Sequence, residues 1–479
     1  MRANQSGRKI VEQVEVIDIA EEGKGVGKDG DLVIFIDKGV PGDVVNVEVM
    51  RKKKKFLEAR IHSVVKFSSH RTQAFCIHFG VCGGCKWQHM TYEAQLRFKQ
   101  KSVTDALQRL ARVDVSQCES ILPSVNTRFY RNKLEFTFSD KRWLTQEDVT
   151  NNAPGGPALG FHVPLRFDKI LDIRECHLQA DPSNAIRNEI RGFALRENIS
   201  FYDLRNHEGA LRNLIVRSSS TGELMVIVVF AYPAEEQVES LMGFVAGRFP
   251  GITSLLYIIN QKKNDTIFDQ EIRTFRGRDH IFEEMHSGIP GETPLRFKIG
   301  AKSFYQTNSV QANELYRITK EFAGLKGHER VYDLYTGAGT IANFVARGVK
   351  EVIGVEYVPS AIEDAYVNSA INGIKNTRFF AGDMKDILTP QFVQEQGRPD
   401  VVITDPPRAG MHPEVVARLL GIAAAKIVYV SCNAATQARD IALLKEKYTV
   451  TRIRPVDMFP HTQHVENVAL LELTVAGQS

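Results

Sequence analysis

A chain of 479 residues, 43% of them hydrophobic, is long enough to form more than one hydrophobic core, so about two to four domains are expected. No apolar run approaches the roughly 20 residues needed to span a bilayer, and the opening residues MRANQSGRKIVEQVEV lack the apolar segment of a secretory signal. The net charge of +4 permits a polyanionic partner without requiring one. We therefore expect a cytoplasmic protein without membrane association.

The first domain is expected over residues 1–66. Apolar and polar residues alternate there in short runs separated by glycine-containing turns, which is typical of short strands and predicts a small β-barrel. Its basic run, Arg51 to Lys55, is either a solvated face or a contact for a polyanion.

Cysteines mark the start of the second domain, expected over 67–295. Three of the six cysteines, Cys76, Cys82 and Cys85, lie within ten residues, which in a chain of this length indicates a metal or cluster site in a reducing compartment rather than disulfide bonds. Spacing alone does not separate an iron-sulfur cluster from a four-cysteine zinc site. A helical stretch follows near 92–112, and strand-like runs with polar helices after 126 predict a mixed α+β central domain.

The third domain, expected over 296–479, alternates strands with helical segments. The predicted strands are 330–334, 351–355, 401–404 and 426–430. Such alternation predicts an α/β fold with a parallel, doubly wound sheet.

A Gly-x-Gly turn after the first of these strands is the candidate cofactor site. Gly337 and Gly339 follow Asp333, and Glu356 ends the next strand, where a carboxylate can accept hydrogen bonds from ribose hydroxyls. NAD and S-adenosylmethionine fit this pattern equally well. Asp333 and Asp383, which suit a cationic methionine moiety and an adenosine contact, favour S-adenosylmethionine; a structural turn with solvated carboxylates is the alternative.

Two later strand ends carry candidate catalytic groups. Asp405-Pro406-Pro407-Arg408 follows one strand, and Ser431-Cys432-Asn433 follows the next and precedes a helical run. Cys432 is therefore predicted at a helix N-terminus, where the helix dipole and free N–H groups would lower its pKa. An inert buried cysteine is the alternative.

The last polar segment, Asp457 to Asn467, supplies Glu466 as a candidate general base. Its two histidines, His461 and His464, could bind a metal, but two histidines without a third ligand more often form hydrogen bonds.

Together these segments resemble the RNA 5-methyluridine methyltransferases, most closely the bacterial 23S rRNA (uracil-5-)-methyltransferases that carry an iron-sulfur cluster. The matching pieces cover nearly the whole chain: Ser303 to Asn308, Asp333 to Thr340, Asp405 to Arg408, Val430 to Asn433 and Asp457 to Glu466. The sequence departs from the family at Thr336, where cysteine is common, and at Ala434, where proline is usual.

The resemblance implies a Rossmann-like S-adenosylmethionine-dependent methyltransferase domain, an N-terminal OB-like barrel of the TRAM type and an RNA substrate, either 23S rRNA or, alternatively, tRNA. It implies that Cys432 is the nucleophile and Glu466 the proton acceptor. It further implies that cofactor or substrate contacts come from Gln306, Tyr335, Glu356, Asp383 and Asp405, and that a [4Fe-4S] cluster is bound by Cys76, Cys82, Cys85 and Cys176. It also implies that a helix near 93–125 packs on the C-terminal domain, and it requires no obligate protein partner.

The chemistry that joins these groups is covalent. Carbon 5 of uracil is a poor nucleophile, and thiolate addition at carbon 6 turns the ring into an enolate that can accept a methyl group at carbon 5. A base then removes the original proton. The rival interpretations are a tRNA or dual-site rRNA uracil-5 methyltransferase, a cytosine-5 methyltransferase, a non-catalytic RNA-binding assembly factor, and a dinucleotide-dependent oxidoreductase.

Overall fold

The computed structural model describes residues 9–20, 22–287 and 291–474, and its strands form four sheets within these ranges. The ends of the predicted first and third domains, 1–8 and 475–479, lie outside the described residues. No helix within these ranges is long and apolar enough to cross a membrane.

The N-terminal sheet is a small barrel of six strands in the order β1-β5-β6-β4-β3-β2. Its alternating apolar residues face inward, and Val16, Ile34 and Val47 are completely buried. The chain runs directly from β1 into β2, which pairs with β3, so the two ends of the sheet are joined by a continuous segment. The strands are β1 Ile10–Glu15, β2 Asp18–Ile19, β3 Gly25–Asp29, β4 Leu32–Asp37, β5 Val44–Lys52 and β6 Phe56–Lys66.

A single long helix, α1 (Tyr92–Leu110), follows the cysteine segment and packs on the C-terminal domain. It is shorter than the helix near 93–125 that the resemblance implied. Arg112 takes a positive φ of 51°, which a right-handed helix cannot contain, so the helix ends here. The chain then runs alongside the C-terminal sheet, where Leu122 bridges to Val456.

The central domain is built on a seven-stranded mixed sheet in the order β13-β12-β11-β10-β7-β8-β9. Strands β10 and β11 are almost fully buried because the sheet is covered on both faces. The elements are β7 Lys133–Ser139, α2 Gln146–Thr150, β8 Ala158–His162, β9 Ile170–Asp172, α3 Ser183–Arg196, β10 Leu211–Ser218, β11 Leu224–Phe230, α4 Glu235–Arg248, β12 Ser254–Ile259 and β13 Arg273–Gly277.

A two-stranded hairpin, β14 (His280–Met285) and β15 (Leu295–Gly300), connects the central and C-terminal domains. The predicted boundary between residues 295 and 296 falls inside β15. Because β14 and β15 pair along their whole length, the hairpin is one unit and the boundary belongs before β14.

The C-terminal domain is a seven-stranded sheet in the order β18-β17-β16-β19-β20-β22-β21. The first five strands are parallel and the last two are antiparallel to their neighbours. The elements are α5 Ser309–Ala323, β16 Arg330–Leu334, α6 Thr340–Ala346, β17 Glu351–Glu356, α7 Pro359–Ile371, β18 Thr377–Ala381, α8 Met384–Ile387, α9 Pro390–Gln396, β19 Val401–Thr404, α10 Pro413–Ile422, β20 Lys426–Ser431, α11 Ala434–Leu444, β21 Tyr448–Val456 and β22 Glu466–Leu473.

Helices cover both faces of this sheet, which explains why its strands are continuous apolar runs. One face packs on α5, α6 and α7, and the other on α10, α11 and α1; Val103 and Leu107 of α1 are completely buried among the strands and α11. The predicted fold class, an α/β methyltransferase-like domain with a β-barrel and a mixed central domain, is confirmed.

Candidate active site

Five neighbouring parallel strands end at the same edge of the C-terminal sheet, and each end carries a predicted site residue. In spatial order these strands are β18, β17, β16, β19 and β20. The groups that follow them are, in the same order, Asp383, Glu356, Tyr335, Asp405 and Cys432. The fold thus assembles residues that are far apart in sequence into one row, where open α/β sheets bind their ligands.

Glu356 and the glycine turn form a fixed unit in this row. The Glu356 carboxylate accepts the N–H of Gly337 at 3.1 Å and the N–H of Val358 at 3.0 Å. Gly339 has a φ of +75°, and a Cβ there would lie 2.9 Å from the Cβ of Ala365. Only glycine therefore fits this turn, which brings the backbone and the carboxylate close to where a nucleoside would bind.

Tyr335 lies between the two halves of the row. It has a φ of +63°, and burial raises its pKa to about 12, with Asp440, Asp383 and Glu356 adding to the shift. Asp383 caps α8 and accepts the N–H of Lys385. The carbonyl oxygen of Gln306 accepts a hydrogen bond from Asn132 at 2.9 Å, which ties its loop to the central domain.

Buried carboxyls accumulate at the centre of the edge. Burial raises the pKa of Asp333 to about 7, opposed by a hydrogen bond from Thr336, and burial raises the pKa of Asp405 to about 7. Burial also raises the pKa of Glu466 to about 8, with Asp405 adding to the shift and Arg408 opposing it. Such a group of buried carboxyls favours a cationic ligand, because a cation stabilises their ionised forms.

Cys432 and Glu466 lie at adjoining ends of two paired strands. Ser431 of β20 is opposite Asn467 of β22, so the next residues, Cys432 and Glu466, are neighbours although 34 positions separate them in the sequence. Glu466 is 5% exposed and Cys432 is half-buried. A nucleophilic thiol and a carboxylate base can therefore act on the same small molecule or base.

The predicted position of Cys432 at a helix N-terminus is confirmed, since Cys432 directly precedes the cap of α11, but the lowered thiol pKa expected there is wrong. Asn433 caps α11, and its side-chain oxygen already accepts the free N–H groups of Ala435 and Thr436. Burial instead raises the pKa of the Cys432 thiol to about 11, and the carboxyls of Glu466 and Asp405 add to this shift.

Arg408 is the cation that opposes the raised pKa of both Cys432 and Glu466. Its Nη2 donates to Nδ1 of His464 at 2.9 Å. Burial lowers the pKa of His464 to about 4, and Arg408 adds to this shift, so the ring is neutral near pH 7 and its Nδ1 is free to accept. His464 thus holds Arg408 rather than a metal, in agreement with the hydrogen-bonding interpretation.

A groove of about 370 Å³ opens beside Cys432. One wall is α1, another is the β2–β3 turn of the barrel, and the floor carries Arg408, Cys432 and His464. The barrel, α1 and the C-terminal domain therefore all border the groove beside the nucleophile.

The four predicted ligand cysteines line a second cavity, of about 740 Å³, in the central domain. Burial raises the pKa of Cys82 to about 12, and the charges of Cys85, Cys176 and Cys76 add to the shift, so the four thiols lie near one another. Within the part of the chain that is described, no group of three or more His, Cys, Asp or Glu side chains is arranged to hold a metal ion.

Sequence patterns did not identify the residues that hold the Asp457–Glu466 segment. Lys99 and Gln95 of α1 contact Asp457 and His461, more than 350 positions away. Tyr130, from the segment before β7, also contacts this loop, since its hydroxyl donates to the carbonyl of Pro460 at 3.0 Å.

Comparison with known proteins agrees with this geometry. The family profile described as tRNA (Uracil-5-)-methyltransferase matches residues 277–474. An RNA methyltransferase of Bacteroides thetaiotaomicron is 57% identical over 95% of this chain and all of its own, and one of Porphyromonas gingivalis is 57% identical over 96% of this chain and 99% of its own. Both are described as uncharacterised.

Among solved structures, the Pyrococcus abyssi tRNA (uracil-54, C5)-methyltransferase in complex with S-adenosyl-L-homocysteine is similar along the whole length. It is 30% identical, with a TM-score of 0.73, and the match covers 96% of this chain and 100% of that one.

The doubly wound sheet and its row of strand-end residues are those of an S-adenosylmethionine-dependent methyltransferase that acts on RNA. The chain belongs to the tRNA (uracil-5-)-methyltransferase family.

Proposed function

We propose that this protein methylates carbon 5 of a specific uridine in RNA, with Cys432 as the covalent nucleophile and Glu466 as the base. The observation that carries the proposal is the pairing of β20 with β22, which brings this thiol and this carboxyl together at the edge that also holds the glycine turn. An assembly factor or an oxidoreductase would need neither this pair nor the family relationship. A cytosine-5 methyltransferase also uses a thiolate, but its family usually has a Pro-Cys motif and a second catalytic cysteine, whereas Cys432 is the only cysteine of the C-terminal domain.

The cofactor contacts are proposed for Tyr335, Glu356 and Asp383, with Gln306 and Asp405 nearer to the methyl donor or the base. S-adenosylmethionine would supply the methyl group and a positive charge. The buried carboxyls fit such a cation, because Asp333 and Asp405 are held in low-dielectric surroundings where each carries a raised pKa.

The protein's own groups then act in sequence. The Cys432 thiolate adds to carbon 6 of uracil, and the electron pair of the C5–C6 double bond moves into the enolate. Carbon 5 of this enolate would then attack the methyl group of S-adenosylmethionine, and the S–CH3 bond would break with release of S-adenosylhomocysteine. The ionised Glu466 next accepts the proton from carbon 5, and the electron pair left there expels the thiolate and restores the double bond. Arg408, beside both groups, is placed to stabilise the negative charge.

A [4Fe-4S] cluster is proposed for Cys76, Cys82, Cys85 and Cys176. Each thiolate of such a cluster binds a different iron, so its ligands surround a larger centre than the convergent ligands of one zinc ion. Four cysteines line one cavity of about 740 Å³ and would supply the four thiolates that such a cluster needs. Arg187 is completely buried and adds a cation near Cys176. Its guanidinium donates to the neutral side chains of Asn184 and Asn188, so its positive charge is available to a negatively charged cluster.

The preferred target is a uridine of 23S rRNA, as the resemblance of the cysteine pattern and barrel implies. A tRNA target is the second candidate, because the similar Pyrococcus abyssi enzyme acts on tRNA. The basic run Arg51 to Lys55 is fully exposed at the β5–β6 turn and is proposed to contact the RNA backbone.

The test incubates the purified protein with radiolabelled S-adenosylmethionine and unmodified 23S rRNA or tRNA, followed by nucleoside analysis, for the wild type and Cys432→Ala. Labelled 5-methyluridine in rRNA from the wild type alone is the expected result. Label in tRNA moves the target to the second candidate. Cofactor binding without transfer to either RNA contradicts the proposed activity.

Reconstitution tests the cluster separately. Anaerobic addition of iron and sulfide should give visible absorption and about four irons per chain, and Cys176→Ser should abolish both. Zinc uptake without iron-sulfur absorption would contradict the cluster.

A further inference from the structure

We propose that five polar residues, four of them buried and one, Tyr92, half-buried, position the loop 457–465 and, through it, the Arg408–His464 pair beside Cys432; these five are here called the loop anchor. The loop anchor consists of Tyr92, Gln95, Lys99, Asp457 and His461. The proposal rests on the proposed function for what Cys432 and Glu466 do, but the contacts that carry it do not depend on that function.

The centre of the loop anchor is an ion pair without exposure to solvent. Nζ of Lys99 lies 2.5 Å from Oδ1 of Asp457, and both side chains are 0% exposed. Lys99 also donates to the carbonyl of Phe459 at 3.0 Å, and the hydroxyl of Tyr92 donates to Oδ2 of Asp457 at 2.8 Å. Apolar residues of similar size often replace such pairs at no loss of stability. What the pair supplies here is a fixed position for the start of the loop.

The next part of the loop anchor holds a strained residue. His461 has a φ of +64°, a conformation that costs a residue other than glycine about 1–2 kcal/mol. Oε1 of Gln95 accepts the N–H of His461 at 2.8 Å, and the His461 carbonyl accepts the N–H groups of Lys86 and Trp87 at 2.9 and 3.0 Å. The backbone of His461 is therefore held on both sides, which fixes the direction in which the loop continues.

The loop leads from His461 to the nucleophile. His464, three residues later, accepts the hydrogen bond from Arg408. The carbonyl of Arg408 in turn accepts hydrogen bonds from Asn433 at 3.3 Å and Thr436 at 3.2 Å, so Arg408 is bound at both ends next to Cys432. A loop that moves away removes the partner of the Arg408 guanidinium, so that its charge is no longer held beside Cys432.

Cys432 faces charges from several elements, and the loop anchor acts on it through only one of them. The groups around the thiol and its groove are Glu466, Asp405, Arg408, His464 and, from α1, Asp105 and Arg109. Lys99 also opposes protonation of His464. Removing the charges of Lys99 and Asp457 together leaves the net charge unchanged, so a change at Cys432 then reports the position of Arg408.

The test compares Lys99→Met with the double variant Lys99→Met, Asp457→Asn. The single variant leaves a buried carboxylate without its cation and should lower the Tm strongly, whereas the double variant contains no unpaired charge and should regain most of the Tm. If the loop anchor positions the loop, the double variant still loses about tenfold in kcat, equivalent to about 1.4 kcal/mol, with the KM for S-adenosylmethionine within about twofold of wild type.

A second readout needs no RNA. Alkylation of Cys432 by iodoacetamide, followed by mass spectrometry of its peptide, should shift to higher pH in the double variant because Arg408 no longer favours the thiolate. The matched control is Arg212→Met, which removes a cation that is 1% exposed in the central domain and bonded to Asp265. It should lower the Tm without moving the alkylation profile.

A double variant with wild-type kcat and an unchanged alkylation profile would show that the loop anchor only stabilises the fold. If the wild type forms no 5-methyluridine, the proposed function fails, and the alkylation comparison still decides whether the loop anchor positions Arg408.

Discussion

The thiol of Cys432 lies among groups that disfavour its ionisation. Burial and the carboxyls of Glu466 and Asp405 raise its pKa to about 11, and Arg408 alone among the named groups opposes them. A protonated Glu466 relieves part of the repulsion, and its own pKa of about 8 keeps it protonated near pH 7 before any cation binds. In the ligand-free protein both proposed catalytic groups are therefore mainly protonated near pH 7, and Glu466 loses its proton before Cys432 as the pH rises.

Glu466→Gln separates the two halves of the proposed reaction. The amide cannot accept the proton from carbon 5, so methylation should occur while release of the thiolate stalls. We expect a covalent protein–RNA adduct that survives denaturing electrophoresis and carries labelled methyl groups, with turnover reduced by at least about 10³-fold. Cys432→Ala in the same background should abolish the adduct. Normal turnover by Glu466→Gln would assign the base to another group.

Cofactor binding should release protons near neutral pH. Asp333 and Asp405, with pKa values of about 7, and Glu466, with a pKa of about 8, are partly protonated in the ligand-free protein. A sulfonium cation lowers these pKa values, so protons leave on binding and the affinity rises with pH up to about 8. Calorimetry in two buffers of different ionisation enthalpy measures the release. S-adenosylhomocysteine, which lacks the charge, is the control and should release fewer protons; equal release would contradict this electrostatic role.

At the scale of single residues, the ends of the strands predicted from the sequence were sufficient to locate Cys432 and Glu466 at the edge of the sheet. They were not sufficient to predict the pKa values of these residues. The pKa of Cys432 depends mainly on burial, and the side chain of Asn433 already accepts the N–H groups that the thiolate was expected to use. The thiol pKa depends also on carboxyls from two other strands. Neither effect is visible in a local pattern.

At the scale of the elements, helix α11 begins at the active site, and helix α1 packs against α11 in the same hydrophobic core. The carboxamide of Asn433 links α11 to the loop of Arg408, because its oxygen caps α11 and its nitrogen donates to the carbonyl of Arg408. The parallel strands and most helices were predictable because apolar runs and turns have clear periods. The end of α1 was also predicted to within two residues, because the apolar period indicated a helix near 92–112 and the helix ends at Leu110. Only the longer helix near 93–125, which the resemblance implied, is wrong, since Arg112 is left-handed.

Substitution of Asn433 tests this cap. Asn433→Ala should lower the free energy of unfolding by about 1 kcal/mol, because the N–H groups of Ala435 and Thr436 lose their acceptor. Asn433→Asp keeps an acceptor and should retain the stability, but its negative charge beside Cys432 should raise the thiol pKa and slow alkylation at pH 8. Urea unfolding and iodoacetamide kinetics measure the two effects. Equal alkylation rates for wild type and Asn433→Asp would contradict the electrostatic part.

At the scale of the whole molecule, the barrel is fastened to the active-site side of the protein. Trp87 donates to the carbonyl of Gly23, and a Cβ at Gly23 would lie 3.3 Å from Gln463 in the loop 457–465. Lys101 of α1 pairs with Asp18 at 2.8 Å. The barrel therefore borders the groove of Cys432 directly, so RNA bound to the barrel, as proposed, would lie next to the nucleophile.

Removal of the exposed charges at the β5–β6 turn tests this delivery. Lys53→Gln, Lys54→Gln and Lys55→Gln together should weaken RNA binding and reduce the slope of log Kd against log salt by up to about 3, without a change in cofactor affinity. The control replaces Lys326, Lys350 and Lys375, exposed residues near the opposite edge of the C-terminal sheet. An equal loss in both triple variants would mean that the barrel contributes only general charge.

Long-range contacts of this kind lay beyond the sequence patterns. The alternation of apolar residues predicted each domain separately, whereas the ion pair of Lys99 with Asp457 joins residues 358 positions apart. Pairing of this type depends on how the finished domains meet, which no local period encodes.

The packing of α1 on the C-terminal sheet also determines when the enzyme can become complete during synthesis. Val103 and Leu107 fill a core whose other wall includes α11 and β21, translated more than 320 residues later. At about 5–20 residues per second, the ribosome needs roughly 20 to 70 seconds to supply that wall. During this interval the apolar face of α1 lacks the residues that it packs against in the folded protein, so the nascent chain exposes a hydrophobic surface until its last strands are synthesised.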